Sequence, residues 1–421
     1  MPGRSCILSL MSLALLGAAA NAAQNSVELL YVQQNTNILT YNVNRATLQA
    51  AEVGQQLALT GNAATVQVIP SPNGHFVYVL TGADYTQTSV SVYATDSSGV
   101  PQAPALQSVG PAAITQFTID PNGRFAYMVE YTTTSQGAFL YRVRLFTINA
   151  STGKLTESPQ VQLKYGPSFY CAPSLDGFYP NGGEIEYSIF CTPRDSLSAT
   201  YYRRAINSKT GEWGSPSEFY SFDDNNSINS DEVRLSARSI NDLNVLNTQT
   251  SVRIYPSTGG KTPLIDCTST MLAACSEASQ FWQDISGQYL LLSLNGNMEI
   301  VRVDLDNRQI VDTGNSINQT PHFSPDDSIL YGAAYGTQSY VQIYGFNAHT
   351  GGLSTGNQVT CPRNPMEYFP RSARIATPPA KHSRESLWGE RFFDVGYAFP
   401  AQQQPNWRNI AIFLTSASFS P

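Results

Sequence analysis

Two turn signals recur in a fixed order along most of the chain, and no other feature constrains the fold as tightly. Thr118-Ile119 runs into Asp120-Pro121-Asn122-Gly123, a turn with Pro early and Gly last. The apolar run Phe125-Ala126-Tyr127-Met128-Val129 follows. After a polar loop, Tyr141 to Phe146 alternates with period two, which puts Val143 and Leu145 on one face and Arg142 and Arg144 on the other. Asn149-Ala150-Ser151-Thr152-Gly153 then closes a second hairpin. One such unit cannot bury its own faces, so neighbouring units must cover them.

The first turn recurs at Ser71-Pro72-Asn73-Gly74, Ser174-Leu175-Asp176-Gly177, Asp284-Ile285-Ser286-Gly287 and Ser324-Pro325-Asp326-Asp327. The second recurs at Asn207 to Trp213 and Asn347 to Leu353. The gap between the turns at 174 and 284 is about twice the local period, so a degenerate unit belongs near Glu232 to Pro256, with Val233-Arg234-Leu235 and Ser251 to Tyr255 as its strands. Abundant Tyr, Thr and Val with 30 Gly and 25 Pro favour short strands cut by turns. Three or four strands every roughly 40 to 55 residues is the pattern of a propeller rather than a sandwich. The expected fold is all-β, a seven-bladed β-propeller with one blade closed by strands from both termini. Leu29 to Val32 and Ile38 to Val43 match the second and third strands of a unit whose first strand is missing. Met366-Glu367-Tyr368-Phe369 is the candidate to supply it.

Residues 1–23 read as a secretory signal peptide. Arg4 gives the positive end, Ile7 to Leu16 the apolar core, and Ala20-Asn21-Ala22 the small residues for cleavage. The expected division is 1–23 signal peptide, 24–375 propeller and 376–421 C-terminal extension, with Ile410 to Leu414 able to make one strand of the extension. The expected localisation is secreted or periplasmic, with no transmembrane segment after cleavage. Oxidising conditions favour disulfides. Cys171 and Cys191 could face each other across a hairpin, Cys267 and Cys275 bracket a small loop, and Cys361 is left over. These spacings do not make a zinc site. Alternate oxygens from Asp223 to Asp231 lack the glycine and closing glutamate of a calcium loop. No metal and no cofactor is expected, and a net charge of −7 without strong clustering argues against nucleic acid.

The run Ser-Pro-Asn-Gly-x-Phe-x-Tyr-Val at 71–79, the strand Ser91-Val92-Tyr93 and the turn Thr152-Gly153-Lys154-Leu155 resemble the YVTN/lactonase-type seven-bladed propeller family over roughly 27–374. The resemblance implies the propeller fold. Family members include 6-phosphogluconolactonase-like and muconate-lactone enzymes, alongside exported propellers without established chemistry. In the lactonase-type members a Pro-His pair precedes the first turn. The matching pairs here are Pro111-Ala112 and Pro167-Ser168, which carry no imidazole. Pro321-His322 offers the one candidate base, two residues before a Ser-Pro turn.

Asn62, Thr65, Ala112, Ser168, Gln319, His322 and Glu367 are the expected ligand-binding residues around the channel mouth, with His322 the candidate catalytic one. The expected role is a non-catalytic binding scaffold for a protein, glycan or small-molecule ligand, monomeric, with 23 Tyr and 4 Trp available for recognition. The alternative is a lactone hydrolase using His322.

Overall fold

The structure is a computed structural model. It describes residues 6–7, 27–34, 37–59, 64–82, 87–178, 183–191, 198–223, 237–240, 243–247, 251–256, 263–268, 271–277, 281–284, 288–294, 297–324, 328–334, 339–361 and 413–417. Among the described residues, its strands pair antiparallel into one five-stranded, one seven-stranded and four four-stranded sheets, arranged as successive blade-like units along the chain. Blades two and three share one long strand, Pro101–Ile119. Its first part pairs with Thr88–Thr95 and its last part, from Ala113, with Phe125–Thr133. The degenerate unit is present as Ala237–Ile240, Leu243–Asn247, Ser251–Pro256 and Ile265–Thr268. Val233-Arg234-Leu235 lies outside the described residues. Among the described residues, no helix is long and apolar enough to cross a membrane.

Burial explains why each strand has the composition it has. The second strand of a blade, such as Phe76–Gly82 or Phe125–Thr133, is covered on both faces and reads as a continuous apolar run. The fourth strand, such as Gln49–Ala58 or Leu155–Ser168, is mostly exposed and polar. Apolar clusters join blades one to three, three to four, five to six and six to seven, and a further one joins seven back to one. That last cluster, Leu30, Val32, Leu39 and Val43 against Ile329, Tyr331, Val341 and Ile343, is the ring closing on itself. The architecture is an all-β propeller.

Each recurring residue has an identifiable task. Ser71 and Asp120 hold the first turn by accepting, on Oγ and Oδ1, the amides of Phe76 (3.0 Å) and Phe125 (2.6 Å). Asn149, Asn207 and Asn347 open the second turn, each accepting two downstream amides on Oδ1. The tyrosine of the second strand reaches into the next blade. Tyr31, Tyr78 and Tyr127 donate to the carbonyls of Gly99, Gly153 and Gly211 at 2.7, 2.8 and 2.7 Å. Gly153 holds φ +67° under the Phe76 ring, where a Cβ would lie 2.5 Å from ring carbons. Gly211 stands in the same relation to Phe125. Side-chain amides repeat the clasp further out: Gln107 binds both backbone groups of Leu155, Gln162 accepts from Trp213 N, and Asn357 binds both backbone groups of Ala50.

Two expectations change. The turn expected at Ser174 to Gly177 is instead part of the strand Cys171–Phe178, with a register shift between Leu175 and Gly177. The sequence repeats the Pro-Asn-Gly signal a few residues later, at Pro180-Asn181-Gly182, so Ser174 to Gly177 is free to extend the ladder. The strand completing blade one is Phe413–Ala417, paired with Val27 to Tyr31. It comes from the segment assigned to an extension outside the repeat. The candidate at Met366 to Phe369 lies outside the described residues. Cys6–Ile7 also pairs with Val27–Gln34, opposite Gln34 and Gln33.

The Gly153 seat sets a quantitative expectation. Gly153→Ala combines an unfavourable φ with a clash against Phe76 and should cost about 2 to 4 kcal/mol. Gly137→Ala is the control. Gly137 has φ +84° with nothing within 4 Å of the added Cβ, and the change should cost only about 1 kcal/mol. Urea unfolding of both variants checks this, and equal losses would show that the seat under Phe76 contributes nothing.

Candidate functional site

Antiparallel strands that follow one another send their connections to alternate ends. The first-to-second and third-to-fourth turns therefore gather at one end of the propeller. The second-to-third loops and the blade crossovers gather at the other. In blades one to four the first end carries the inter-blade clasps, which leaves the second for a site.

At that end, blades three and four build an aromatic surface. Tyr131, at the end of the second strand, meets Phe139 edge-on at 5.2 Å and Tyr141 at 5.8 Å. Phe139 pairs across the ladder with Ser168, at the crossover into blade four. Ser168 Oγ accepts from the amides of Tyr170 (3.2 Å) and Cys171 (2.8 Å), which folds the crossover into a tight bend. That bend turns Phe169 and Tyr170 outward, 51% and 42% exposed, with ring centres 6.3 Å apart. Leu140, 39% exposed, lies on the strand that pairs with this segment. Gly166 brings the two segments together, because a Cβ there would sit 2.5 Å from the Phe139 carbonyl oxygen and 3.4 Å from Leu140 Cα. Directly after the bend, Cys171 pairs in register with Cys191, and the two form the expected disulfide. The second expected bridge, Cys267–Cys275, is also present and ties the short helix Ala273–Glu277 to the strand Ile265–Thr268. Cys361 ends a strand, and its side chain lies outside the described set.

The expected site residues divide between two places. Ala112 and Ser168 belong to this end of blades two to four. The Ala112 carbonyl accepts from Thr88 Oγ1 at 2.7 Å, and the next residue, Ala113, pairs with Tyr131. Gln319 and His322 belong to blade seven. Gln319 is gripped by two tyrosines: Nε2 donates to Tyr340 Oη at 3.2 Å, and Tyr344 Oη donates to Oε1 at 3.0 Å. Thr65 pairs with Thr81 in the ladder. Asn62 and Glu367 lie outside the described residues, as does the oxygen-rich loop after Asp223.

His322 lies on the strand Thr320–Phe323, opposite Tyr331. Its neighbour Phe323 packs toward blade six, so the imidazole faces the seam with blade one. It is only 1% exposed, and burial pushes its pKa well below the ordinary value. Burial therefore keeps the imidazole neutral in this structure.

Glu184 and Glu186 lie two residues apart on one strand, a spacing that by itself suggests a solvated face, but Glu186 is fully buried and bound by Arg203 Nη2 at 2.9 Å. Burial, then the Glu186 charge, pushes the Glu184 carboxyl above its usual range. Glu130 is likewise buried and bound by Arg142 and by Arg144 Nη1 (2.9 Å), and Arg144 also holds Glu157. In both blades an arginine of the third strand sits directly opposite the glutamate: Arg203 against Glu186, Arg142 against Glu130. That register was the available signal. With their oxygens engaged by guanidinium groups, these carboxylates hold strands together.

No family model matches the chain, and no curated protein matches it. Solved structures do. A puromycin hydrolase superposes with a TM-score of 0.51 at 12% identity, over 84% of this chain and 58% of that one. A Bacteroides uniformis protein provisionally named as a 6-phosphogluconolactonase superposes at 0.49 with 16% identity, over 86% of this chain and 98% of that one. A Bacteroides fragilis protein of the same provisional name gives 0.49 and 16%, over 86% and 96%. At 12% identity the likeness to the puromycin hydrolase is one of fold.

The buried imidazole makes stability depend on pH with a definite sign. Unfolded, His322 takes up a proton near pH 6.5, whereas the folded pKa is depressed. Its contribution is fully present above about pH 6.5 and is lost as pH falls, by up to about 1.4 kcal/mol per unit, until the folded pKa is reached. His322→Gln should flatten this slope. Denaturant midpoints for both proteins between about pH 7.5 and 5 test it, and parallel curves would mean that the folded protein protonates His322 freely.

Proposed function

We propose that this chain is an exported propeller that binds a ligand on the loop end of blades three and four and does not hydrolyse lactones. The observation that carries the reading is the exposed Phe169–Tyr170 pair, set on a crossover fixed by the Cys171–Cys191 bridge. Rigid aromatic side chains on a pre-organised backbone lose little entropy on binding, which is what a recognition surface needs. Export is supported by the two disulfides and by the signal-like sequence at residues 1–23.

The hydrolase alternative asks for a group that activates water. His322 was its candidate, and its 1% exposure speaks against that role. Ala112 and Ser168, at the positions where the resembling enzymes keep a histidine, offer no base at neutral pH. Losing general acid–base assistance typically costs about 10² to 10⁴ in rate. The protein should therefore leave a panel of phosphorylated and plain sugar lactones at their spontaneous hydrolysis rates. Strong turnover by the wild type that is lost in a folded His322→Gln variant would overturn the binding reading in favour of the enzyme.

A further inference from the structure

We infer that the Cys171–Cys191 bridge is a thiol-accessible switch that sets whether the crossover between blades three and four is held or loose; where it concerns the surface, this rests on the binding reading above. The two described bridges differ in access. Cys267 and Cys275 are fully buried, inside an apolar cluster with Val252, Ile254, Leu290, Leu292 and Val301. Cys171 and Cys191 are half-buried, at the margin of a cluster that includes Val143, Tyr187 and Ile189. The group that opens a disulfide is a thiolate. Bringing that anion into the first environment would strip its hydration with nothing in return, whereas the second leaves both cysteines in contact with solvent.

Position gives the bridge its consequence. Cys171 and Cys191 form the outermost pair of the ladder between Cys171–Phe178 and Glu184–Cys191. The pairs inward of it, from Ala172 with Phe190 to Phe178 with Ile185, and the buried Glu186–Arg203 contact do not involve it, so opening it leaves the blade standing. On the other side the chain leaves the ladder at once. Phe169 and Tyr170 are exposed there, and the Cys171 amide is a donor that holds the Ser168 bend, 2.8 Å from Oγ. Oxidised, the bridge fixes Cys171 and with it that bend. Reduced, Cys171 is the end rung of a ladder, free to fray, and the bend loses its anchor.

The chemistry is exchange with a dithiol. One of its thiolates attacks a sulfur of the bridge, the S–S bond breaks, and the other cysteine leaves as a thiolate and takes up a proton. The second thiolate of the dithiol then attacks the mixed disulfide and releases the first cysteine. Two electrons and two protons pass to the bridge, and the dithiol ends as a disulfide.

Brief exposure of the folded, exported chain to graded dithiothreitol, followed by iodoacetamide blocking and peptide mass mapping, tests access. Cys171 and Cys191 should be blocked at dithiothreitol levels that leave Cys267–Cys275 intact. Chymotrypsin, added once the reagents are removed, tests the consequence. It should cut after Phe169 or Tyr170 about tenfold faster in the reduced, blocked protein than in the oxidised one, while urea unfolding keeps the sharpness of the oxidised form. The double variant Cys171→Ser, Cys191→Ser should be cut at the fast rate with or without dithiothreitol. Simultaneous reduction of both bridges, earlier reduction of Cys267–Cys275, or cutting no faster once Cys171–Cys191 alone is open would each overturn the inference. So would loss of cooperative unfolding on opening that bridge alone, since it would then hold the fold rather than the crossover. None of these outcomes bears on whether the surface binds a ligand, and lactone turnover would remove the binding reading without touching the exchange.

Discussion

The hydroxyl of a buried tyrosine, donated to a glycine carbonyl of the following blade, is the contact on which the rest of this structure depends. Tyr31, Tyr78 and Tyr127 each make it, across 68, 75 and 84 residues of sequence. Burial pushes the Tyr78 and Tyr127 hydroxyls well above their ordinary pKa, so they stay protonated and remain donors. One such bond contributes only about 1 kcal/mol net, but leaving the carbonyl buried without it would cost more. The same glycine forms the floor on which the preceding blade's Phe76 or Phe125 rests. A single local motif, aromatic-x-Tyr, thus grips a second local motif, Thr-Gly, in the next unit. Repetition of the two along blades one to four turns a row of hairpins into a stack in which each of these blades is held by the next.

Committing one end of blades one to four to this clasp leaves their other end free to vary. Among the described residues, the turns at Ser71, Asp120, Asn149, Asn207 and Asn347 share a geometry prescribed by their Ser, Asp or Asn caps and by glycine. Loops at the free end differ in length and composition, and it is there that the exposed rings of Phe169 and Tyr170 stand. The propeller supplies rigidity, and the crossover between blades three and four supplies a surface whose rings are not needed for the core. His322 is on a blade's first strand but at a seam between blades, where packing outweighs access.

Polar groups inside the blades follow the same economy. Glu130 and Glu186 are removed from water only where an arginine lies directly opposite on the next strand. Separating either pair would leave a buried charge, so these pairs discriminate against slipped registers as well as joining strands.

The sequence alone determined the repeat, the all-β class, the order of the two turns and the pairing of Cys171 with Cys191 and Cys267 with Cys275. Each of these is written in short-range signals: Pro-Asn-Gly spacing, period-two alternation, cysteines a hairpin or a small loop apart. Tertiary structure alone decided that Ser174 to Gly177 is strand, that Phe413–Ala417 closes the first blade, that His322 is sealed and that Phe169 and Tyr170 are not. Those outcomes depend on which faces stack when the ring closes. Depth and closure come from contacts between residues far apart in the chain, so no local pattern around His322 or Phe169 could have shown which of them water would reach.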